Sequence, residues 1–401
     1  MAEYRTVILR KGKEDSLNRR HPWIFSGAIH QVESDIEEGE VVRVVTWQGD
    51  FIAVGHWQIG SIAVRVLTFE DEPIDENFYA NRLATAWDVR QRIGLVRDSE
   101  DEKGTINTTY RLVHGEGDNL PGLIVDIYSD TAVLQAHSVG MHRDRMIIAA
   151  ALKKMMGDRL QSVYYKSETT LPFKAELGQE NGFLIGKSNN NVALENGLKF
   201  HIDWLKGQKT GFFIDQRDNR SLLEQYSQGR KVLNMFCYTG GFSVYGMRGG
   251  ARLVHSVDSS TKAIELVNRN IELNFPGDER HKAFAADAFK FLDTMPEDYD
   301  LVVLDPPAFA KHRDAIKQAM RGYAKLNAKA MEKMPKGSIL FTFSCSQAIN
   351  KEQFRTAVFS AAMQTGRKVR ILHQLHQPAD HPVNIFHPEG EYLKGLVLYI
   401  E

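Results

Sequence analysis

The chemistry in this chain is best approached from one thiol. The run Ser338-Ile-Leu-Phe-Thr-Phe-Ser-Cys-Ser346 ends an apolar strand on Cys345, set between two serines. A buried cysteine is often only a small hydrophobe, but a thiol at a strand exit is accessible and, once ionised, nucleophilic. One reaction needs such a group at a ring carbon. Pyrimidine C5 reacts poorly with a methyl sulfonium, and thiolate addition at C6 converts the ring into an enamine-like species that can attack the methyl. The second reactive group is Asp305 in Leu301-Val-Val-Leu-Asp-Pro-Pro-Ala-Phe309. Two prolines remove two N–H donors and hold an extended turn, leaving the carboxylate and nearby carbonyls to face a planar base. The plain alternative is a simple strand exit.

A third constellation suits a nucleoside. Val232-Leu-Asn-Met-Phe-Cys-Tyr-Thr-Gly-Gly-Phe-Ser243 is a strand-to-helix turn containing Phe236, Tyr238 and Gly240, and Asp258 follows Gly240 by 18 positions. That spacing fits an acidic residue that accepts from ribose hydroxyls. The turn lacks the G-x-G-x-x-G pattern of a pyrophosphate binder, which points to a nucleoside without phosphate, S-adenosyl-L-methionine before others. Ala285-Ala-Asp-Ala-Phe289 adds Asp287, with Ala288 beside it, at the expected end of a third strand, where a carboxylate can accept from an adenine amino group. Cys237, inside the turn, reads as structural or cofactor-contacting. No metal site is expected.

These groups need a sheet edge to meet on. From about residue 205 strands and helices alternate: strands at 231–235, 253–257, 301–304 and 338–343, helices at 242–248, 261–274 and 314–334. Apolar strands between helices predict a parallel sheet covered on both faces. Residues 1–75 show short β-rich runs (7–9, 41–45, 51–54, 62–67) broken by glycines, which predicts a small barrel or sandwich. Between lie strands at 110–113, 123–127, 131–136 and 162–166 and helices at 78–93 and 142–156. Gly115 to Gly122 reads as a plain glycine turn, since no helix follows it. The expected organisation is three domains, 1–75, 76–200 and 201–401.

Composition narrows the class. The chain has 401 residues, 43% hydrophobic and 25% charged, so disordered and fibrous classes are out. Two cysteines build no disulfide framework, and neither an apolar leader nor an 18-residue apolar run is present, so a cytoplasmic protein without a membrane segment is expected. A formal net charge of -1 means that any nucleic-acid face must be local. Arg5, Arg10, Lys11, Lys13, Arg19, Arg20 and His21 supply such a patch, with Trp23 and Phe25 beside it; a solvated charged face over core aromatics is the alternative.

Taken with further motifs, the chain resembles the ribosomal RNA large-subunit methyltransferase I family, enzymes that make 5-methylcytosine in 23S rRNA. The resemblance spans nearly the whole chain and rests on His21-Pro-Trp-Ile-Phe-Ser-Gly27, Tyr110 to Asp126 with its Gly115-Glu-Gly-Asp-Asn-Leu-Pro-Gly122 turn, and Lys209-Thr-Gly-Phe-Phe-Ile-Asp-Gln-Arg-Asp218. It rests also on Leu304-Asp-Pro-Pro-Ala-Phe-Ala-Lys311, Ser344-Cys-Ser346, Ala379-Asp-His-Pro-Val383 and Pro388-Glu-Gly-Glu-Tyr-Leu-Lys394. It implies an N-terminal PUA domain, a central α/β domain and a Rossmann-like methyltransferase domain. Cofactor contacts by Phe213, Gln216 and Arg217 are also implied, with large-subunit rRNA as partner; a homodimer is left open. In this family the Asp-Pro-Pro-Ala loop carries no second cysteine, and position 308 is indeed Ala, which leaves the release of a covalent product open. Two other readings stand beside it: a methyltransferase acting on a purine exocyclic amine or ring nitrogen, which needs no thiol, and a non-catalytic RNA-binding assembly factor. A nicotinamide oxidoreductase fits least.

Overall fold

The computed structural model describes residues 4–96, 107–172, 177, 180–295, 298–310 and 312–401. Lys311, which closes the Leu304–Lys311 motif, and the first three residues of the expected N-terminal domain lie outside the described residues. The chain forms two compact units, one of residues 1–197, 202–214 and 379–390, the other of 198–201, 215–378 and 391–401.

The first unit carries two larger sheets. Arg5–Leu9, Trp23–Phe25, Ile29–Val32, Val41–Val45, Phe51–Trp57 and Ile62–Thr68 join in a six-stranded sheet. Arg5–Leu9 runs parallel to Val41–Val45, and the other pairings are antiparallel. Strand alternation sends Val7, Leu9, Val42, Val44, Val64 and Val66 into one core. Residues 109–185 build a five-stranded sheet, and helices Glu76–Arg92 and Arg145–Met156 supply Phe78, Leu83, Ile148 and Leu152 to its core. The single helix expected over 142–156 is instead two, Val139–Arg143 and Arg145–Met156, joined at Asp144. The Asp144 carboxylate accepts from the Tyr79 hydroxyl and lies 3.0 Å from His56 Nε2, which holds the junction in place. Gly115–Asp118 is a short 3-10 turn leading into a strand, so the glycine-rich segment is a plain turn.

The stretch expected as one domain over 201–401 is interrupted twice, because hydrogen bonds tie 202–214 and 379–390 into the first unit. Thr210 donates to Asp126 at 2.6 Å, and the Arg111 amide donates to the Asp380 carboxylate at 2.9 Å. The fully buried Arg90 guanidinium grips Asp118 at 2.5 and 2.8 Å and donates to the Asp380 carbonyl at 2.7 Å. Losing one partner would strand a buried charge, a cost far above that of an exposed ion pair.

The second unit positions the reactive groups. In chain order it contains α1 (Arg217–Tyr226), β1 (Lys231–Met235), α2 (Gly241–Arg248), β2 (Leu253–Asp258), α3 (Thr261–Asn274), β3 (His281–Ala285), α4 (Ala288–Thr294), β4 (Leu301–Leu304), α5 (Ile316–Lys333), β5 (Ser338–Ser344), α6 (Lys351–Thr365), β6 (Val369–Leu375) and β7 (Lys394–Ile400). The sheet order is β3-β2-β1-β4-β5-β7-β6. The first five strands are parallel, and β7 enters antiparallel between β5 and β6. Helix α5 starts at Ile316, two residues later than expected, because a 3-10 turn occupies 313–315. The order reverses direction between β1 and β4, and open α/β sheets bind ligands at the carboxyl ends of strands where that happens. Met235 pairs with Val257 and with Leu304, and Leu304 pairs with Thr342. The loops after β1, β2, β4 and β5 therefore leave the sheet on one edge.

Candidate functional site

The turn after β1 is a left-handed passage, with φ of +57° at Phe236, +46° at Tyr238 and +80° at Gly240. Glycine is required at 240 on two counts, since a Cβ there would also stand 3.0 Å from Val267. The passage is pinned by Asp258 at the end of β2: its carboxylate accepts from the Tyr238 amide at 3.0 Å and from the Ser260 amide at 2.9 Å. Each oxygen keeps a further lone pair, so Asp258 can hold the turn and still accept from a ligand hydroxyl. Asp287 lies past the end of β3, exposed, and caps α4 by accepting from the Lys290 amide at 2.9 Å; Ala288 is the buried first residue of that helix. Cys237 is buried, and burial together with Asp258 pushes its thiol well above the ordinary range, so it stays protonated.

Asp305 leaves β4 into the proline turn. Burial pushes its carboxyl up to about 7, with the charge of Asp215 acting the same way, against opposing pulls from Gln216 and Arg220. Gln216 donates to Asp305 at 3.1 Å and accepts from Asn219 at 2.6 Å, which fixes its amide. Gln216 and Arg217, implied by the family resemblance, are thus both buried at the start of α1, and Gln216 is in direct contact with the Asp305 loop. Asp215 accepts from the Tyr392 hydroxyl at 2.7 Å. Phe213, also implied by the family resemblance, belongs to the 202–214 segment of the first unit.

Cys345 follows β5 on the strand neighbouring the Asp305 turn, half-buried. Its flanking serines are tied down. Ser344 donates to Tyr323 at 2.9 Å, and Ser346 donates to the Ala310 carbonyl at 2.5 Å. Phe309, in the proline turn, packs against Tyr323 with ring centroids 4.6 Å apart and the planes tilted by 33°, in a space that Gly322 keeps open. Lys394, the first residue of β7, pairs with Ser344 across the sheet and donates to the Ser346 carbonyl at 2.5 Å.

Sequence reasoning missed Asp215, Arg220, Tyr323 and Lys394. Tyr323 sits at helical spacing among Ala319, Leu326 and Ala330 and reads as core. Lys394 closes a motif whose chemistry spacing alone does not disclose.

The donor set fits S-adenosylmethionine. Asp258 and Asp287 can accept hydroxyl and amino hydrogens but would repel a pyrophosphate. Among the described residues no cluster of His, Cys, Asp and Glu could hold a metal ion, and no helix is long and apolar enough to cross a membrane.

Comparison with known proteins agrees with this arrangement. A PUA-like domain family matches residues 7–69, and the S-adenosylmethionine-dependent methyltransferase family matches residues 151–383. The chain is 39% identical to ribosomal RNA large subunit methyltransferase I of Aeromonas hydrophila and 40% identical to that of Tolumonas auensis, with 98% of each chain covered in both cases. Among solved structures it is similar to a SAM-dependent methyltransferase from Streptococcus mutans, with a TM-score of 0.81 at 21% identity over 98% of this chain and 99% of that one. A methyltransferase complexed with SAH gives a TM-score of 0.82 at the same identity and coverage. These two share the fold.

Proposed function

We propose, for a chain that belongs to the ribosomal RNA large subunit methyltransferase I family and is a SAM-dependent methyltransferase of large-subunit rRNA, that the atom methylated is cytosine C5 and that Cys345 forms a transient bond to C6. The observation that carries this reading is the position of Cys345, half-exposed after β5, one strand from Asp305. A purine amine would need the acidic loop but no thiol. Phe309, the aromatic that would stack on such a base, is already engaged with Tyr323.

Bound S-adenosylmethionine supplies the electrophilic methyl group. Asp258 and Asp287 would hold its ribose and adenine, with Phe236, Tyr238 and Ala288 on the same edge and Gln216 and Arg217 completing the contacts. Asp305, with a carboxyl that keeps a proton near neutrality, donates to the cytosine ring edge as the Cys345 thiolate adds to C6. Once C5 has taken the methyl, with the sulfonium–methyl bond breaking as the C5–methyl bond forms, the C5 proton passes to water, the ring proton returns to the Asp305 carboxylate, and the C6–sulfur bond breaks to release Cys345 as thiolate. Nucleoside mass spectrometry of rRNA methylated by the purified protein is expected to yield 5-methylcytidine; a methylated purine would move the assignment to an exocyclic amine or ring nitrogen.

Asp258→Ala is expected to weaken S-adenosylmethionine binding by about 1.5–3 kcal/mol, the range of hydrogen bonds to a charged group. Calorimetric titration measures it, and unchanged affinity would remove Asp258 from the site.

RNA contact falls to the PUA-like region, where Arg10, Lys11, Lys13, Arg19 and Arg20 are all exposed. Phe25 is 49% exposed, whereas the Trp23 indole donates to Glu116 at 2.8 Å and packs against His387, so Phe25 is the better stacking surface of the two. Replacing Lys11, Lys13 and Arg19 by Ala should flatten the dependence of log affinity for RNA on log salt by about 2, at roughly 0.7 per phosphate contact on a single strand. An unchanged slope would place the phosphates elsewhere.

A further inference from the structure

We propose that Lys394 is the positioning residue that holds Cys345 as a thiolate, the two side chains forming an ion pair at the carboxyl edge of the sheet. The inference rests on Cys345 being the nucleophile, and it adds the source of that nucleophile's charge.

The register supplies the geometry. β5 and β7 run antiparallel, and their last pair is Ser344 with Lys394. From there the Lys394 ammonium reaches two residues further along the partner chain and donates to the Ser346 carbonyl at 2.5 Å, spanning the backbone that carries Cys345. Lys394 is only 6% exposed. An ammonium has three donors, and a buried one needs a counter-charge as well as hydrogen bonds. No carboxylate makes an ion pair with Lys394 among the described residues. Glu391, whose charge also acts on Lys394, is bound to Lys351 at 2.5 Å, both side chains being exposed. The opposing charge that acts most strongly on Lys394 is Cys345.

The proton balance is favourable. Burial pushes Lys394 down to about 8, and an ordinary thiol lies near 8.5. With the attraction of the Cys345 charge already contained in that value, moving the thiol proton to the amine costs little. The other groups facing the two side chains are Glu391 and Lys351, which act in opposite directions on Lys394, and the Tyr323 hydroxyl, which also faces Asp305. Tyr323 is pushed up to about 12, chiefly by burial, so it stays a neutral hydroxyl beside the thiolate. A purely structural lysine would only tie the β5 exit loop to β7.

The test is the pH dependence of iodoacetamide alkylation at Cys345, read by peptide mass spectrometry on the full-length protein. Cys237, buried and protonated, does not compete. The wild-type midpoint should lie below 8.5. Lys394→Met should raise it by a unit or more and slow alkylation at pH 7 about tenfold, since each unit of pKa is a tenfold change in thiolate below the midpoint. Lys394→Arg should keep the low midpoint, and S-adenosylmethionine affinity checks that each variant is folded. A wild-type midpoint at or above 8.5 overturns the pairing whatever the variants do, as does a Lys394→Met profile that overlays the wild type. Covalent capture of RNA bearing 5-fluorocytosine by the wild-type protein separates the two ideas. Capture with an unmoved profile removes Lys394 and keeps the nucleophile, whereas a moved profile without capture keeps the pair and removes the C5 chemistry.

Discussion

Cys345→Ala should abolish methyl transfer, a loss of at least about a thousandfold, while S-adenosylmethionine binds as before. The separation follows from placement. Cys345 follows β5, whereas the proposed ribose and adenine contacts follow β2 and β3 on the other side of the switch between β1 and β4. Truncating a small, half-exposed side chain leaves little cavity, so the fold should be retained. The thiolate acts only once the ring is under attack, and its loss appears in the chemical step rather than in affinity. RNA carrying 5-fluorocytosine at the target gives the complementary result. Fluorine at C5 cannot leave as a proton, so the wild-type protein should stall as a covalent adduct that maps to the peptide containing Cys345. Cys237→Ala should still form it, because the Cys237 thiol is buried and protonated. Methylation by Cys345→Ala at a rate near wild type would end the C5 reading and favour an exocyclic amine.

What was legible in the sequence follows from how each element is stabilised. β1, α3 and β4 fall on the residues expected because each is an uninterrupted apolar or amphipathic run closed by polar residues. Helix α1 escaped because its buried residues include Arg217, Asn219 and Arg220, an inversion of ordinary patterning that arises where a helix faces a polar site rather than a core. α6 opens on a local signal, the Asn350–Gln353 capping box. β6 is largely exposed and β7 is buried, so neither alternates as a half-buried strand would. The two interruptions of the second unit were illegible for another reason. They depend on pairings such as Arg90 with Asp380, 290 residues apart, that no local pattern encodes. The same holds within the site: Gly240 and Asp258 announce themselves by spacing, but Lys394 acquires a role only when an antiparallel strand brings it beside Ser344.

Asp305 carries the second large effect. Its carboxyl is pushed up to about 7, against an ordinary value near 3.9, first by burial and then by Asp215. Below about 7 it holds a proton and can donate to the cytosine ring; above, it cannot. Cys345 has the opposite requirement, gaining thiolate as pH rises. kcat/KM should therefore follow a bell, with an alkaline limb set by Asp305 and an acid limb set by the thiol. Asp305→Asn keeps the shape and the contact with Gln216 but has no proton to give, so turnover should fall by about 10²–10⁴ and the alkaline limb should vanish. Stability provides a readout independent of activity. A carboxyl raised in the folded state binds its proton more tightly there than in the unfolded chain, so its contribution is fully present below about 4 and is lost as pH rises to about 7. Asp305→Asn escapes that loss, and its melting temperature should pull ahead of wild type across this window and keep a constant lead above it. A difference in melting temperature that does not change with pH would show that Asp305 is ionised throughout, and the proton it is asked to donate would have to come from another group.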